Sequence, residues 1–183
     1  MGIKSMVQKK KEHYIQFYYG MGKGKTTAAL GLAFRAVGQG KKVIFLQWMK
    51  GQKDIGEMRA HKFISPLFDI YQFGPDYFTW DKPGDAEHKR LAKEGLKFLE
   101  IVATKKQYDV LVLDEIVDAV EMKFIPTAKT ISLIKQAAKK GEVIVTGHTA
   151  RSEFIEVADL VTEMKKVKHY FDKGQIARVG IEY

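Results

Sequence analysis

An α/β fold with a mainly parallel sheet is what the sequence predicts, and three observations predict it. Strand-like and helix-like stretches alternate along the chain, the order that crossover connections between parallel strands require. The strand-like stretches at 43–48, 108–113 and 143–146 are nearly unbroken apolar runs, as in strands covered on both faces. The last observation is Gly20-Met21-Gly22-Lys23-Gly24-Lys25-Thr26-Thr27, a glycine-rich turn between an apolar run at 14–19 and a helix-like stretch at 28–37.

Strand, glycine turn, Lys-Thr and helix together make a phosphate-binding loop. Glycines let successive backbone N–H groups curl around an anion, and the helix N-terminus adds unpaired donors and the positive end of its dipole. In such a loop Lys25 reaches phosphate oxygens and the Thr26 hydroxyl ligates Mg²⁺. The usual spacing would put the first glycine at position 19, which is Tyr19. Gly20 comes one residue late, so the loop is short for its class and holds its nucleotide unconventionally.

The remaining elements follow in order. Lys9-Lys10-Lys11 lies in a basic arm, residues 1–13, ahead of the first strand. Gly38 and Gly40 end the first helix. After the strand at 43–48, residues 50–57 read as a loop at its carboxyl end, where open α/β sheets bind ligands. Lys50 and Glu57 are therefore either site residues or ordinary surface residues. Residues 68–73 alternate as a third strand and run into a Gly- and Pro-bounded loop at 74–84 carrying Tyr77, Phe78 and Trp80. Those rings either tuck into the core or wait for a partner surface.

Residues 85–104 carry an amphipathic helical pattern. The strand that follows ends in Asp114-Glu115, delivering carboxylates to the edge where a phosphate loop needs a partner for Mg²⁺. A short helix at 116–122, a longer one from Pro126-Thr127 to Lys140 and a strand at 143–148 come next. His148 either faces the ligand or is a tolerated surface histidine. Ser152 with Glu153 starts a further short helix. Residues 160–164 and 176–181 read as strands joined through an Asp172-Lys173-Gly174 turn, so a C-terminal hairpin is expected.

Composition narrows the function. The 183 residues fit one domain, and 45% hydrophobic content supports a packed core. No cysteine is present, which excludes disulfides, thiolate metal sites and cysteine nucleophiles. Neither a secretory signal nor a membrane-length apolar run is found, so a cytoplasmic protein is expected. A net charge of +9 and a pI near 9.5 favour anionic partners. Scattered lysines without an aromatic-basic motif point to a polyphosphate rather than nucleic acid.

Several motifs together resemble the ATP:cob(I)alamin (corrinoid) adenosyltransferases of the bacterial corrinoid-biosynthesis type. They are G-x-G-K-G-K-T-T-A-A at 20–29, R-A-V-G-x-G-K at 35–41, K-G-x-x-x-x-G-E at 50–57, F-T-W at 78–80, V-L-D-E at 112–115 and V-K-H-x-F-D-x-G at 167–174. The likeness spans 14–183, and the short phosphate loop is itself a feature of that family. It implies a RecA-like P-loop NTPase three-layer fold, a homodimer, a reduced flavoprotein as electron donor, and transfer of the 5′-deoxyadenosyl group of ATP to corrinoid cobalt with release of triphosphate. By matching position, Gly20 to Thr27 hold the nucleotide with Lys25 on the phosphates, and Thr26 and Glu115 serve Mg²⁺. Asp114 for the metal, and Lys50, Glu57 and His148 for the nucleotide, join them as candidates from their places at strand carboxyl ends. Phe78 and Trp80 match the aromatics that approach the lower face of the corrin ring. Met21 stands where many members have Asn, and His148 where many have Arg. The alternatives are an ATPase or kinase that cleaves ATP at the γ-phosphate, and a nucleic-acid-binding module.

Overall fold

The computed structural model describes residues 12–64, 66–77 and 86–183. Lys9-Lys10-Lys11, Phe78 and Trp80 lie outside the described residues. In chain order the elements are β1 (Ile15–Tyr19), α1 (Lys25–Gly38), β2 (Val43–Trp48), α2 (Gly56–Ile64), β3 (Phe68–Phe73), α3 (Ala86–Lys105) and β4 (Val110–Asp114). They continue with α4 (Ile116–Glu121), α5 (Thr127–Ala137), β5 (Glu142–Gly147), α6 (Ser152–Val157), β6 (Leu160–Glu163) and a 3₁₀ turn at Tyr170–Lys173.

The six strands form a sheet of order β3-β2-β4-β5-β1-β6, and all its pairings are parallel. Every strand therefore presents its carboxyl end at the same edge. Tyr19 is level with Gly147, and Gln47 with Asp114, so the turns after β1, β2, β4 and β5 share one rim.

Alternation within the strands builds two apolar layers. Phe17, Ile44, Leu46, Trp48, Leu111, Leu113, Val143 and Val145 face one side and pack beneath α3, α4, α5 and α6. Val43, Phe45, Val110, Val112 and Ile144 face the other and pack against Ala29 and Ala33 of α1. Phe17, Phe45, Trp48 and Phe154 are fully buried, each contributing about 2 kcal/mol of apolar burial. The small Ala29 and Ala33 let α1 lie close to the sheet, which fixes the phosphate loop at its N-terminus.

Two features depart from expectation. Residues 56–64 form α2, so Glu57 sits in a helical first turn rather than a loop. The helix has no buried residue and touches the core only through Met58 and Ile64, too thin an apolar stripe to show in the sequence. The C-terminal hairpin is not formed. β6 pairs instead in parallel with β1, and residues 176–181 join no strand. The Asp172-Lys173-Gly174 signal is a real turn, but a 3₁₀ one closed by Gly174 at φ 83°, which sends the chain across the phosphate loop rather than back along β6.

Candidate active site

The loop after β1 is shaped by its neighbours as much as by its glycines. Gly20 N–H donates to the Gly147 carbonyl (3.2 Å) and Gly22 N–H to the Met164 carbonyl (2.6 Å). A Cβ on Gly20 or Gly22 would stand 2.6 or 2.5 Å from that same Met164 oxygen, so backbone passes where a side chain cannot. No side-chain hydrogen bond caps α1, and no acidic residue lies in its first turn, leaving its amides for an anion. Lys25 folds back across the loop, donating to the carbonyls of Gly20 (2.6 Å) and Gly22 (3.1 Å). Burial lowers its pKa, and the carboxylates of Asp118, Glu115 and Asp114 only partly offset this.

Facing the first turn of α1 is a cluster built on β2 and β4. The Thr26 hydroxyl lies 3.0 Å from Asp114 Oδ1, and the Lys50 ammonium lies 2.8 Å from Asp114 Oδ2, 3.2 Å from Glu115 Oε1 and 3.2 Å from the Thr26 hydroxyl. Asp114 is fully buried and also accepts from Thr146 (2.8 Å). Burial pushes its pKa up, but Lys50 and the Thr146 and Thr26 hydroxyls outweigh this and hold it below the usual range. Glu115 is raised by burial and by its neighbours Asp114 and Asp118. For Lys50, burial opposes the charge while Asp114 and Glu115 overcome it, so its pKa is raised. Met49 and Glu115 adopt left-handed φ of 61° and 58°, and these unfavourable turns aim Lys50 and Glu115 at one point.

A cavity of about 540 Å³ opens over this cluster, of a size suited to a nucleotide. Lys23, Gly24, Lys25, Thr26, Thr27, Lys50, Glu57, Glu115 and His148 line it, with Tyr77 and residues of the C-terminal segment such as His169, Ile181 and Glu182. Gly20, Met21 and Gly22 are not among its lining residues, and the Met21 side chain is 71% exposed. Asp114 acts from behind, through Thr26 and Lys50.

Two polar residues that sequence reasoning missed hold the cluster in place. Gln47 is buried, donating to Glu57 (3.1 Å) and accepting from Gln72 (3.1 Å). Thr146 accepts from the backbone N–H of Glu115 (2.8 Å) while donating to Asp114. Their signal was a lone polar residue inside an otherwise apolar strand. The C-terminal segment entered the sequence reading only through the 167–174 motif and an expected hairpin, and its place at the cavity was missed. It reaches Lys23, whose ammonium bonds Glu182 (2.6 Å), the Ile181 carbonyl (2.8 Å) and the Tyr170 hydroxyl (3.0 Å).

Comparison with known proteins agrees with this arrangement. Residues 11–183 match the family model described as ATP:corrinoid adenosyltransferase BtuR/CobO/CobP. The corrinoid adenosyltransferase of Escherichia coli (strain K12) is 34% identical over 166 residues, covering 91% of this chain and 83% of the relative. Corrinoid adenosyltransferase CobA of Salmonella typhimurium (strain LT2) is 33% identical with the same coverage. A corrinoid adenosyltransferase from Sinorhizobium sp is 32% identical, covering 90% of this chain and 77% of the relative. With the match spanning the glycine-rich loop, the acidic strand end and the C-terminal segment alike, the chain belongs to the ATP:corrinoid adenosyltransferase family, and its activity is ATP-dependent adenosyl transfer to a corrinoid.

Proposed function

We propose that the loop from Gly20 to Thr27 holds the triphosphate of ATP while the corrinoid approaches C5′ from the open side of the cavity. The observation that carries this is the convergence of Thr26, Lys50, Asp114 and Glu115 on the first turn of α1, beside that cavity. Co(I) of the substrate supplies the electron pair to C5′. The C5′–O bond breaks, and triphosphate leaves with that bond's pair. A metal nucleophile of this strength needs no general base, so the protein's work is positioning and electrostatics. Backbone N–H groups and the Lys25 ammonium take up charge on the triphosphate. Lys50, Glu57 and His148 complete the nucleotide site.

Magnesium fits the acidic cluster. Thr26 and Glu115 offer hard oxygen donors at the cavity, the Asp114 carboxylate stands behind them as a further one, and the Lys50 ammonium already sits among them as a cation. No group of three His, Asp or Glu side chains suited to a metal occurs among the described residues, so a bound ion would have to complete its shell with phosphate and water. When bound, Mg²⁺ supplies further neutralisation of the triphosphate.

Phe78 and Trp80 cover the lower axial face of the corrin, where rings that cannot ligate cobalt favour four-coordinate Co(II) and ease its reduction. The family resemblance supports a cytoplasmic homodimer, one domain per chain, receiving electrons from a reduced flavoprotein. Among the described residues no helix is long and apolar enough to cross a membrane. Sedimentation at the 20.8 kDa monomer mass would remove the homodimer.

Incubation with ATP, Mg²⁺ and reduced cobalamin tests the reaction directly. The optical spectrum should report a cobalt–carbon bond, with one intact triphosphate per bond formed. Release of ADP and phosphate in its place would return the chain to γ-phosphate chemistry.

A further inference from the structure

β5 runs between the strand that ends in the phosphate loop and the strand that ends in Asp114-Glu115. The residue just beyond its carboxyl end must therefore stand between the triphosphate grip and the carboxylates. That residue is His148, and it lines the cavity. Its attachment is unlike that of a tolerated surface histidine. The backbone N–H donates to Asp118 Oδ1 (2.9 Å), and ring Nδ1 lies 3.1 Å from Oδ2 of the same carboxylate. One carboxylate thus fixes both main chain and ring. With Nδ1–H given to Asp118, the other ring nitrogen, Nε2, makes no hydrogen bond to any described residue.

We infer that Asp118 and His148 form a working pair in which Nε2–H of His148 donates to the departing triphosphate and Asp118 fixes the ring for that contact. The inference rests on the phosphate loop being the triphosphate site. No proton need cross: the leaving oxygen takes the C5′–O pair, gaining one unit of negative charge, and a fixed donor stabilises that charge. Lys25 and Lys50 alone would leave the β5 side of the site without a cationic donor. Asp118 is a positioning residue, since it acts through His148 and does not itself face phosphate.

The charged groups facing the ring are Asp118 on α4, Lys25 at the start of α1 and Glu115 after β4. The hydrogen bond to Asp118 raises the imidazole pKa above its ordinary value, against burial and Lys25. Being raised, the ring is cationic below its pKa and loses charge as pH rises through it. The grip on triphosphate should therefore weaken on the alkaline side.

Calorimetric binding of inorganic tripolyphosphate to the full chain between pH 6 and 9 is the test, with His148→Arg correcting for titration of the probe. At pH 6.5, His148→Gln should bind about tenfold more weakly than the wild type. The wild type should lose affinity relative to His148→Arg as pH rises, and Asp118→Asn should move that loss to lower pH. If His148→Gln binds as the wild type does, or Asp118→Asn shifts only thermal stability with its pH profile unchanged, the pair has no such role. Lys25→Ala separates the two readings. Loss of binding in Lys25→Ala with none in His148→Gln overturns the pair alone, whereas full binding in Lys25→Ala overturns the phosphate site beneath it.

Discussion

The Glu182 carboxylate lies 2.6 Å from the Lys23 ammonium, which fastens the C-terminal segment to the phosphate loop. Glu182 also accepts from the Arg178 backbone N–H (2.8 Å) and the Tyr170 hydroxyl, while the Arg178 guanidinium stacks 4.6 Å above the Tyr170 ring. Hydrogen bonds from Arg178, Lys23 and Tyr170 hold the Glu182 carboxyl well below the usual range, so the tie persists at neutral pH. Exposed ion pairs add little to global stability. Glu182→Gln should leave Tm nearly unchanged yet raise KM for ATP roughly threefold and speed hydrogen exchange over 175–183. Unaltered exchange there would show that the segment is held by something other than this tie.

Lys25 is 8% exposed and grips two carbonyls of its own loop, which holds its ammonium over the loop proposed to take the triphosphate. Lys25→Ala should lower turnover by about a hundredfold or more while circular dichroism and Tm stay near the wild type. An active Lys25→Ala enzyme would contradict the placement of the triphosphate.

Much of this was legible in the sequence because parallel strands are buried on both faces and so print as apolar runs. The places of the glycine-rich loop and of Asp114-Glu115 were readable for the same reason, each lying at the end of such a run. What stayed hidden depends on contacts distant in sequence. The pairing of Leu160–Glu163 with β1 uses backbone groups, which carry no side-chain signature. The path of residues 174–183 is set by Lys23, Tyr170 and Arg178 meeting one carboxylate, and a local turn signal cannot report that. Asp118 read only as part of a short helix. Its role shows once β5 brings His148 to it.

In sequence Phe78 and Trp80 come one and three residues after Tyr77, itself a lining residue of the cavity. If their rings guard the lower axial face, Phe78→Ala with Trp80→Ala should slow reaction from Co(II) far more than from pre-reduced Co(I). Equal losses with both substrates would remove them from ligand displacement and leave only a part in binding.

Close packing of Gly22 on Met164 gives a different kind of prediction. The clash at 2.5 Å is with a backbone carbonyl that already accepts from Gly22 N–H, so neither partner can yield without losing that bond. Gly22→Ala should destabilise by about 1–3 kcal/mol, lowering Tm by roughly 5 °C, and weaken ATP binding with it. Calorimetry that finds Gly22→Ala as stable as the wild type would mean the loop and Met164, just past β6, are not in contact.

The Lys50–Asp114 pair decides how the site responds to pH. Asp114 is fully buried, and Lys50, 24% exposed, is the cation nearest it at 2.8 Å. Lys50→Ala should cost about 3 kcal/mol, because it strands a buried carboxylate. The sign of the pH dependence should also reverse. With Lys50 present the Asp114 pKa is depressed, so its contribution is present above the unfolded value of about 3.9 and lost as pH falls through the lowered value. Without Lys50, burial dominates, the pKa rises above the unfolded value, and stability is lost as pH increases. Lys50→Ala should thus be closer to the wild type at pH 5 than at pH 8, and Asp114→Asn in that background should abolish the difference. Millimolar Mg²⁺ should raise the Tm of Lys50→Ala more than that of the wild type, since it supplies the missing cation. Thermal melts at the two pH values decide the matter: a Lys50→Ala deficit equal at both would mean that Thr26 and Thr146 alone keep Asp114 ionised.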